Sequence, residues 1–332
     1  MLYYNKLKKE LKIMFKYIQK LSITLLFLLF TANSSANADI KVVTSIKPIH
    51  SLASYLMDGV GKPDLIVDGY ASPHGFAMKP SHAKMLQNAD LIFWVGEDLE
   101  SFLEKPLNSI ARKAEKIELM EIKGLNKLEF RERSIFEEHE DHGHNEHKEH
   151  GHKEDKHDDH QGHAHGEHDP HIWLDPMNAK VILSEMAEHL IENDQKNEAK
   201  YKENLKKANK DLDKLTKKVK SELNKDFKSI VFHDAYQYFE KRFDVNILGA
   251  FTVNTDVMPG AEQLAQIREV IEHDKVSCIF SEPQFNPDII KAVAKDTNVA
   301  TGVIDPLGAT LNPGKDLYFD LIGNMSKSFK GC

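Results

Sequence analysis

The sequence predicts an α/β protein of two Rossmann-like lobes, each with a four-stranded parallel sheet, joined by one long helix. Eight short apolar runs fall into two groups of four, and helix-like stretches alternate with them. A long segment without glycine or proline, residues 197–227, separates the two groups. The length of 332 residues is also typical of two domains.

The first 38 residues have the features of a secretory signal peptide. Six lysines and one glutamate accompany the short apolar run 21–32, and small residues at 36–38 precede Asp39. The run is too short to span a bilayer comfortably, although an uncleaved membrane anchor is the alternative. We therefore predict export to the periplasm. Loss of six lysines and one glutamate changes the net charge from −8 to −13. No basic stripe with aromatic residues is present, so nucleic-acid binding is not predicted.

The predicted N-terminal lobe covers residues 39–192. Its four apolar runs are short, rich in β-branched residues and nearly continuous, as in strands buried on both faces of a parallel sheet. They are IKVVTSI (40–46), DLIVDG (64–69), LIFWVG (91–96) and KIELMEI (116–122). Helices are predicted over 80–90, where Pro80 stands near the start, and over 97–114.

A linking helix is predicted over residues 193–227. Its apolar residues recur every three or four positions on one stripe, at Tyr201, Leu205, Ala208, Leu212, Leu215 and Val219. A helix over 197–227 would span about 45 Å. We interpret it as a stiff connector between the lobes; a surface helix of one lobe is the alternative.

The predicted C-terminal lobe covers residues 228–332 and repeats the alternation of strand and helix. Its apolar runs are SIVFHD (229–234), VNILGAFTV (245–253), SCIFSEP (277–283) and NVATGVIDP (298–306). A helix is predicted over 260–274. The two lobes share this architecture without a close sequence repeat.

Residues 137–169 form a low-complexity insertion in the first lobe. It holds eleven histidines, twelve acidic residues and one apolar side chain, Ala164, so it cannot bury a core and is predicted to be disordered. The histidines are His139, His142, His144, His147, His150, His152, His157, His160, His163, His165 and His168. We expect them to form weak auxiliary metal sites that raise the local metal concentration. A solvated loop without a role is the alternative.

Four residues stand where ligands bind in open α/β sheets, beyond the carboxyl ends of strands. His74 follows the second run, His233 ends the fifth and Asp305 ends the eighth. His171 follows the insertion, where Ile172, Trp173 and Leu174 mark a return to folded structure. Three imidazoles with a carboxylate or water make a four-coordinate site that suits Zn²⁺, whereas Mn²⁺ and Mg²⁺ prefer more oxygen ligands. Spacing alone leaves open that each histidine is an ordinary core residue.

Four other histidines are expected to be solvent-exposed or to cap helices. They are His50, His82, His189 and His273.

Five segments carry a resemblance to a known family. They are ASPHGFAMKPSHAKMLQNADLIFWVGEDLESFL, DPHIWLDPMNA, VFHDAYQYFEKRF, SEPQFNP and GVIDPLGA. In this order they resemble the ZnuA-type periplasmic zinc-binding proteins, within the metal-receptor cluster of ABC importers. The resemblance implies two α/β lobes linked by a backbone helix, matching the independent prediction above.

The resemblance also implies site residues. His74, His171 and His233 are expected to bind the metal, with Asp305 or water as the fourth ligand. Some relatives have a ligating glutamate at the position of Pro73. Manganese-binding relatives usually have glutamate where this chain has His233, which favours zinc. Cys278 and Cys332 resemble paired cysteines of this branch, and an oxidising periplasm would let them form a disulfide.

The implied function is that of a zinc receptor. The chain would act as a monomer, pass Zn²⁺ to a membrane permease driven by a cytoplasmic ATPase, and have no enzymatic activity. Alternatives are a manganese or iron receptor of the same family, a buffer that uses the insertion alone, and a zinc-dependent hydrolase. No HExxH motif supports a hydrolase, and Glu282, the one nearby candidate base, is expected to be structural or to support a ligand.

Overall fold

Two four-stranded parallel sheets organise residues 40–332, which form one compact unit of the computed structural model. The structure describes Met14 and residues 39–136, 167–255, 257–330 and 332. The predicted signal peptide, apart from Met14, and most of the predicted insertion lie outside these residues. Within the described ranges, no helix combines the length and the apolarity needed to cross a membrane.

The sheets have the same strand order, β2-β1-β3-β4 and β6-β5-β7-β8. Each of the eight predicted runs coincides with a strand, so the predicted fold class is confirmed. The strands are β1 Val42–Ile46, β2 Asp64–Val67, β3 Leu91–Trp94, β4 Glu115–Glu118, β5 Lys228–His233, β6 Asn246–Thr252, β7 Cys278–Ser281 and β8 Ala300–Val303. The central strands β1 and β3 are buried along their whole length, as expected for parallel strands covered on both faces of a sheet.

Nine helices occur within the described residues. They are α1 Lys47–Leu56, α2 Pro80–Asn88, α3 Glu97–Ser109, α4 Pro176–Asn193, α5 Glu198–Glu222, α6 Gln237–Phe243, α7 Ala261–His273, α8 Asp288–Thr297 and α9 Leu317–Lys330. The helices predicted over 80–90, 97–114 and 260–274 are confirmed as α2, α3 and α7. Helix α3 ends five residues before the prediction, in the turn that leads to β4.

Helix α5 lies within the predicted linking helix, residues 193–227, and is five residues shorter than predicted at each end. Its predicted apolar stripe faces the core, with Tyr201 and Leu212 fully buried. The helix packs along α1, α4 and α9. Asn204 Nδ2 donates hydrogen bonds to the carbonyls of Leu56 and Asp58, at 2.7 and 2.9 Å. These contacts fix α5 along the first sheet's helices; its role as a connector and the lobe boundaries stay predictions.

The end of the chain returns to the first lobe. Helix α9 packs against α1 and α5, so the last helix does not belong only to the sheet that precedes it. Beyond α9, Cys332 forms a disulfide with Cys278 of β7, with their Cα atoms 5.9 Å apart. The predicted disulfide is therefore present.

A segment of the first lobe also joins the second sheet. Phe136 N donates to Leu248 O and Ala250 N donates to Ser134 O, at 2.9 and 2.8 Å, in an antiparallel bridge to β6. Gly249 permits this approach, because a Cβ there would lie 2.5 Å from Ser134 O. The chain is thus attached to the edge of the second sheet immediately before residue 137, where the predicted insertion begins.

Candidate metal centre

Three of the four predicted ligands come together between the two sheets. His74 lies in the loop after β2, His171 lies at the start of the turn that leads into α4, and His233 ends β5. One ring nitrogen from each lies within 4.8 Å of the others. The ring centroids are separated by 5.4 to 5.8 Å. The sequence folds this way because the carboxyl ends of parallel strands meet at one edge of each sheet.

His171 is held by a buried aspartate two residues before it. The Nδ1 atom of His171 lies 2.7 Å from Asp169 Oδ1, which also accepts a hydrogen bond from the His171 backbone N–H. Both side chains are buried. Because a carboxylate accepts, Nδ1 carries the proton and Nε2 keeps the lone pair that a metal requires. Burial and the nearby His233 hold the pKa of His171 well below its usual value.

Residues of the predicted C-terminal lobe hold the buried turn that follows His171. Trp173, fully buried, donates from Nε1 to Pro306 O at 2.8 Å, and Tyr318 donates its hydroxyl to Trp173 O at 2.7 Å. Tyr238 donates to Asp169 O at 2.8 Å. His171 therefore stands on backbone that the second half of the chain holds in place.

His233 is held by a glutamate from the neighbouring strand. Because β7 pairs with β5, the residue after β7, Glu282, lies beside His233. Its Oε1 atom accepts from His233 Nδ1 at 2.7 Å and from the backbone N–H at 3.3 Å. The Nε2 atom of His233 is buried without a hydrogen-bond partner among the described residues. A buried, unpartnered acceptor of this kind fits a metal ligand.

The pKa of His233 is shifted in the opposite direction to that of His171. Burial lowers it, but the charge and hydrogen bond of Glu282, together with Asp234 and Asp169, outweigh burial and raise it. Burial of the Asp169 carboxyl raises its pKa to about 7. The site therefore combines one imidazole that stays neutral with one that takes up a proton readily.

Of the three histidines, His74 is the most exposed, and it lies in a loop without regular secondary structure. Its N–H donates to Ser72 Oγ at 3.3 Å. The cavity that His74 helps to form takes side chains from both sheets. It is lined by Ser72, Pro73, His74, His171, Trp173, His233, Glu282, Gln284, Phe285, Pro306 and Leu307.

Asp305, the predicted fourth ligand, lies beyond β8 and is outside the group of converging ligand atoms found among the described residues. Its Oδ1 atom accepts from Gln284 Nε2 and from the N–H groups of Leu307 and Gly308, at 3.0, 3.1 and 2.9 Å. Its Oδ2 atom lies 3.4 Å from Thr310 N. In this arrangement Asp305 fixes a loop at the rim of the cavity, and its role as a ligand stays a prediction.

A cation beside the site was not predicted from the sequence. Arg131 forms ion pairs with Asp234, the residue after His233, and with Glu240 of α6. Arg131 Nε donates to Asp234 Oδ2 at 2.8 Å, and Nη2 donates to Glu240 Oε1 at 2.7 Å. Arg131 lies more than a hundred positions from both carboxylates, so no local pattern could reveal their contact. Its guanidinium offsets part of the negative charge of these two carboxylates near His233.

The histidines outside the candidate site differ in burial and in hydrogen-bond partners. His82 is buried, but its Nδ1 accepts from Lys79 N and caps α2, which is one of the two expected roles. His50 is buried and its Nε2 donates to Pro63 O at 3.1 Å, so the expectation of exposure or capping was wrong for it. His273 is exposed as expected, with 74% of its side chain accessible.

One histidine of the insertion is described. His168 pairs with Glu129 in an antiparallel bridge, so the chain is ordered from here towards His171. The other ten predicted auxiliary histidines lie outside the described residues. They are His139, His142, His144, His147, His150, His152, His157, His160, His163 and His165.

The chain is similar to known proteins over most of its length. Residues 42–332 match the family model ZnuA, described as zinc-uptake complex component A, periplasmic. The chain is 47% identical over 316 residues to a high-affinity zinc uptake system protein ZnuA of Brucella abortus, covering 91% of this chain and 94% of that protein. It is 36% identical to the ZnuA of Yersinia pestis, with 92% and 94% covered.

Solved structures share the fold. A crystal structure of ZnuA superposes with a TM-score of 0.68 at 20% identity, covering 87% of this chain and 99% of that one. A zinc-bound ZnuA deletion mutant superposes with a TM-score of 0.69 at 20% identity, covering 88% and 96%.

Proposed function

The chain belongs to the ZnuA family of periplasmic zinc-uptake components, and from that premise we propose that it is a high-affinity zinc receptor of an ABC importer. It captures Zn²⁺ between its two lobes and delivers the ion to a membrane permease. The convergence of His74, His171 and His233, with donor atoms within 4.8 Å of one another, is the observation that carries this proposal.

The chemistry of the donors favours zinc as the transported ion. Three imidazole nitrogens suit Zn²⁺ at about 2.0–2.1 Å, and the remaining position of a tetrahedral site takes a carboxylate or water. Manganese prefers more oxygen ligands than these side chains supply. We therefore favour zinc over manganese or iron.

Two carboxylates prepare the ligands before the ion arrives. Asp169 and Glu282 each accept a hydrogen bond from Nδ1 of a buried histidine, at 2.7 Å in both cases. This contact fixes the ring orientation, directs Nε2 towards the cleft and makes it a stronger donor. Because both rings are already buried, binding costs little further side-chain entropy.

The fourth position is left to Asp305 or to water. Asp305 would have to turn away from the backbone N–H groups of Leu307 and Gly308 to reach the ion. A water molecule would leave those contacts intact. The two arrangements make different predictions for Asp305 variants.

We propose that the histidine-rich insertion gathers zinc at weak sites. A deletion tests this best when it spans residues 137–166. Glu167 O accepts from Phe130 N, and Asp169 N donates to Leu128 O, so the residues from 167 onwards help to hold His171. Zinc titration of the deletion variant should show a lower stoichiometry and one retained tight site. Loss of the tight site would contradict separate roles for the insertion and the cleft.

We also propose where the protein acts and which partners it serves. After removal of residues 1–38 the protein acts in the periplasm as a monomer, and the permease it serves is coupled to a cytoplasmic ATPase. We propose no enzymatic role, because the carboxylates beside the proposed ligands, Asp169 and Glu282, are already engaged by His171 and His233. Assays with generic ester and peptide substrates of the zinc-loaded protein test this, and zinc-dependent turnover would contradict it.

Growth under zinc limitation tests the function directly. A strain lacking this protein should fail to grow in chelator and recover when zinc is added. The wild-type chain and a His273→Ala variant should restore growth, whereas His233→Ala should not. Rescue by manganese and not by zinc would contradict a zinc receptor, and growth supported by His233→Ala would contradict the proposed site.

A further inference from the structure

A second group of metal-ligating side chains lies on the other edge of the first sheet. Glu115 opens β4, the edge strand, and so lies at the amino end of the sheet. His74 follows the carboxyl end of β2, at the opposite edge of this sheet. The group that contains Glu115 therefore cannot share an ion with the cleft.

Helix α4 supplies the other members of the group. Glu185, His189 and Glu192 are spaced by four and three residues, which places them on one face of the helix. His189 Nδ1 lies 2.8 Å from Glu115 Oε1, and Nε2 lies 3.4 Å from Glu185 Oε1. Ligand atoms of Glu115, His189 and Glu192 all lie within 4.8 Å of one another. Modest side-chain movements would bring these atoms to the distances that ligands have around one small cation.

The Nδ1 edge of the imidazole faces the group, while 22% of the His189 side chain stays accessible to solvent. Its Nδ1 atom is inaccessible and makes no well-formed hydrogen bond among the described residues, although Glu115 Oε1 is only 2.8 Å away. Asn193 Nδ2 donates to Glu115 Oε2 at 2.8 Å and to His189 O at 2.9 Å. The amide thus holds the strand carboxylate and the helix together and leaves Oε1 facing the ring.

The charge of this region favours a cation. Three carboxylates surround one imidazole, and α4 ends at Asn193, directly after Glu192. The unsatisfied carbonyls of a helix C-terminus carry partial negative charge, which adds to the attraction.

We propose that Glu115, His189 and Glu192, assisted by Glu185, form a second and weaker site for a divalent transition-metal ion on the outer face of the first lobe. One imidazole with two or three carboxylates is a donor set that Zn²⁺ accepts. The site is weaker than the cleft because Glu192 is exposed and Glu115 is half-exposed, so binding must immobilise their side chains. This inference stands whether or not the cleft is the transport site.

Chemical footprinting of the full chain with Zn²⁺ as the probe tests the site. Diethyl pyrocarbonate modifies accessible neutral imidazoles, and trypsin releases His189 in the peptide 181–196, where it is the only histidine. His273 is the only histidine of peptide 269–275 and serves as the internal reference. Zinc added beyond saturation of the cleft should slow modification of His189 several-fold and leave His273 unchanged.

A double variant separates metal binding from a structural role. Glu115→Gln with Glu192→Gln preserves shape and removes two charges, so zinc should no longer protect His189, while tight binding in the cleft persists and reports a folded protein. If zinc leaves the wild-type rate at His189 unchanged, the site does not exist. If the double variant shows the same protection as the wild type, the two glutamates do not bind the ion and the proposal is overturned.

Discussion

Each sheet has a buried glutamate after its third strand along the chain, and the two glutamates have different partners. In each sheet the strand order changes direction between the two central strands. These are β1 and β3 in the first sheet and β5 and β7 in the second. In the first sheet Glu100 accepts from the N–H groups of Val95 and Gly96, at 2.7 and 3.1 Å. In the second sheet Glu282 accepts from the ring and backbone of His233.

The difference shows where function resides in this fold. With the same strand order, a carboxylate after the third strand contacts a backbone turn in the first sheet and a proposed metal ligand in the second, so topology alone does not specify a site. The first lobe contributes its two proposed ligands from segments outside its central strands. His74 lies after an edge strand and His171 lies after the insertion.

The largest effect is expected from removing the ligand that Glu282 supports. His233→Ala deletes one of three imidazoles and should weaken zinc binding by more than about 100-fold, beyond the loss typical of an outer hydrogen-bond partner. Competition against a chelator in the variant lacking residues 137–166 measures this. His273→Ala is the matched control and should retain full affinity.

Glu100→Gln should change stability and not affinity. Burial raises the pKa of Glu100 from 4.5 to about 7, so the folded state binds this proton more tightly than the unfolded chain. Its stabilising contribution is complete below pH 4.5 and is lost as the pH rises to about 7. The glutamine variant keeps an acceptor without the charge. Relative to wild type it should gain up to about 3 kcal/mol of unfolding free energy between acidic and alkaline pH.

Urea unfolding of both proteins across this pH range measures the gain. A difference between them that does not vary with pH would mean that Glu100 does not carry the buried charge. If Glu100→Gln also changed the zinc affinity, Glu100 would influence metal binding as Glu282 is proposed to do.

Glu282→Gln is the counterpart of the Glu100 variant in the second lobe. Glutamine can still accept a hydrogen bond, but the negative charge that makes His233 a better donor is lost. Zinc affinity should fall by about 10- to 100-fold. Equal affinities of the Glu282→Gln and Glu100→Gln variants would remove the functional distinction between the two positions.

The dependence of zinc affinity on pH should reflect the unequal histidines. His233 has a raised pKa, so its proton begins to compete with zinc at a pH above 6.5. His171 has a pKa well below 6.5 and stays neutral there. Affinity should therefore begin to fall above pH 6.5 as the pH is lowered, by up to about tenfold per pH unit for each proton that competes with zinc. Calorimetry in several buffers counts the protons that zinc displaces, and a flat affinity profile would contradict histidine ligation.

The smallest effect is expected from Asp305→Asn. If water holds the fourth position, affinity should change by less than about tenfold, since three imidazoles remain. A loss as large as that of His233→Ala would identify Asp305 as a ligand.

The sequence predicted the strands well, and it named the three histidines that the structure brings together, although their role as ligands stays a prediction. Continuous β-branched runs identify buried parallel strands, and the position of His233 at the end of one such run places it at the sheet edge. The stripe of α5 was also readable, since Tyr201 and Leu212 recur at helical spacing.

Contacts between distant segments could not be predicted in the same way. Glu282 lies 49 positions from His233, and Arg131 lies more than a hundred from Asp234 and Glu240. Their proximity follows from strand pairing and helix packing, which no single segment encodes. The group around His189 was missed for the same reason, because Glu115 lies on a strand and the other members lie on a helix.

Anomalous scattering at the zinc edge tests the central claim most directly. Crystals of the variant lacking residues 137–166, loaded with one equivalent of Zn²⁺, should show one dominant peak about 2.0–2.1 Å from a ring nitrogen of each of His74, His171 and His233. A dominant peak elsewhere, or one bonded to fewer than three of these rings, would contradict the account.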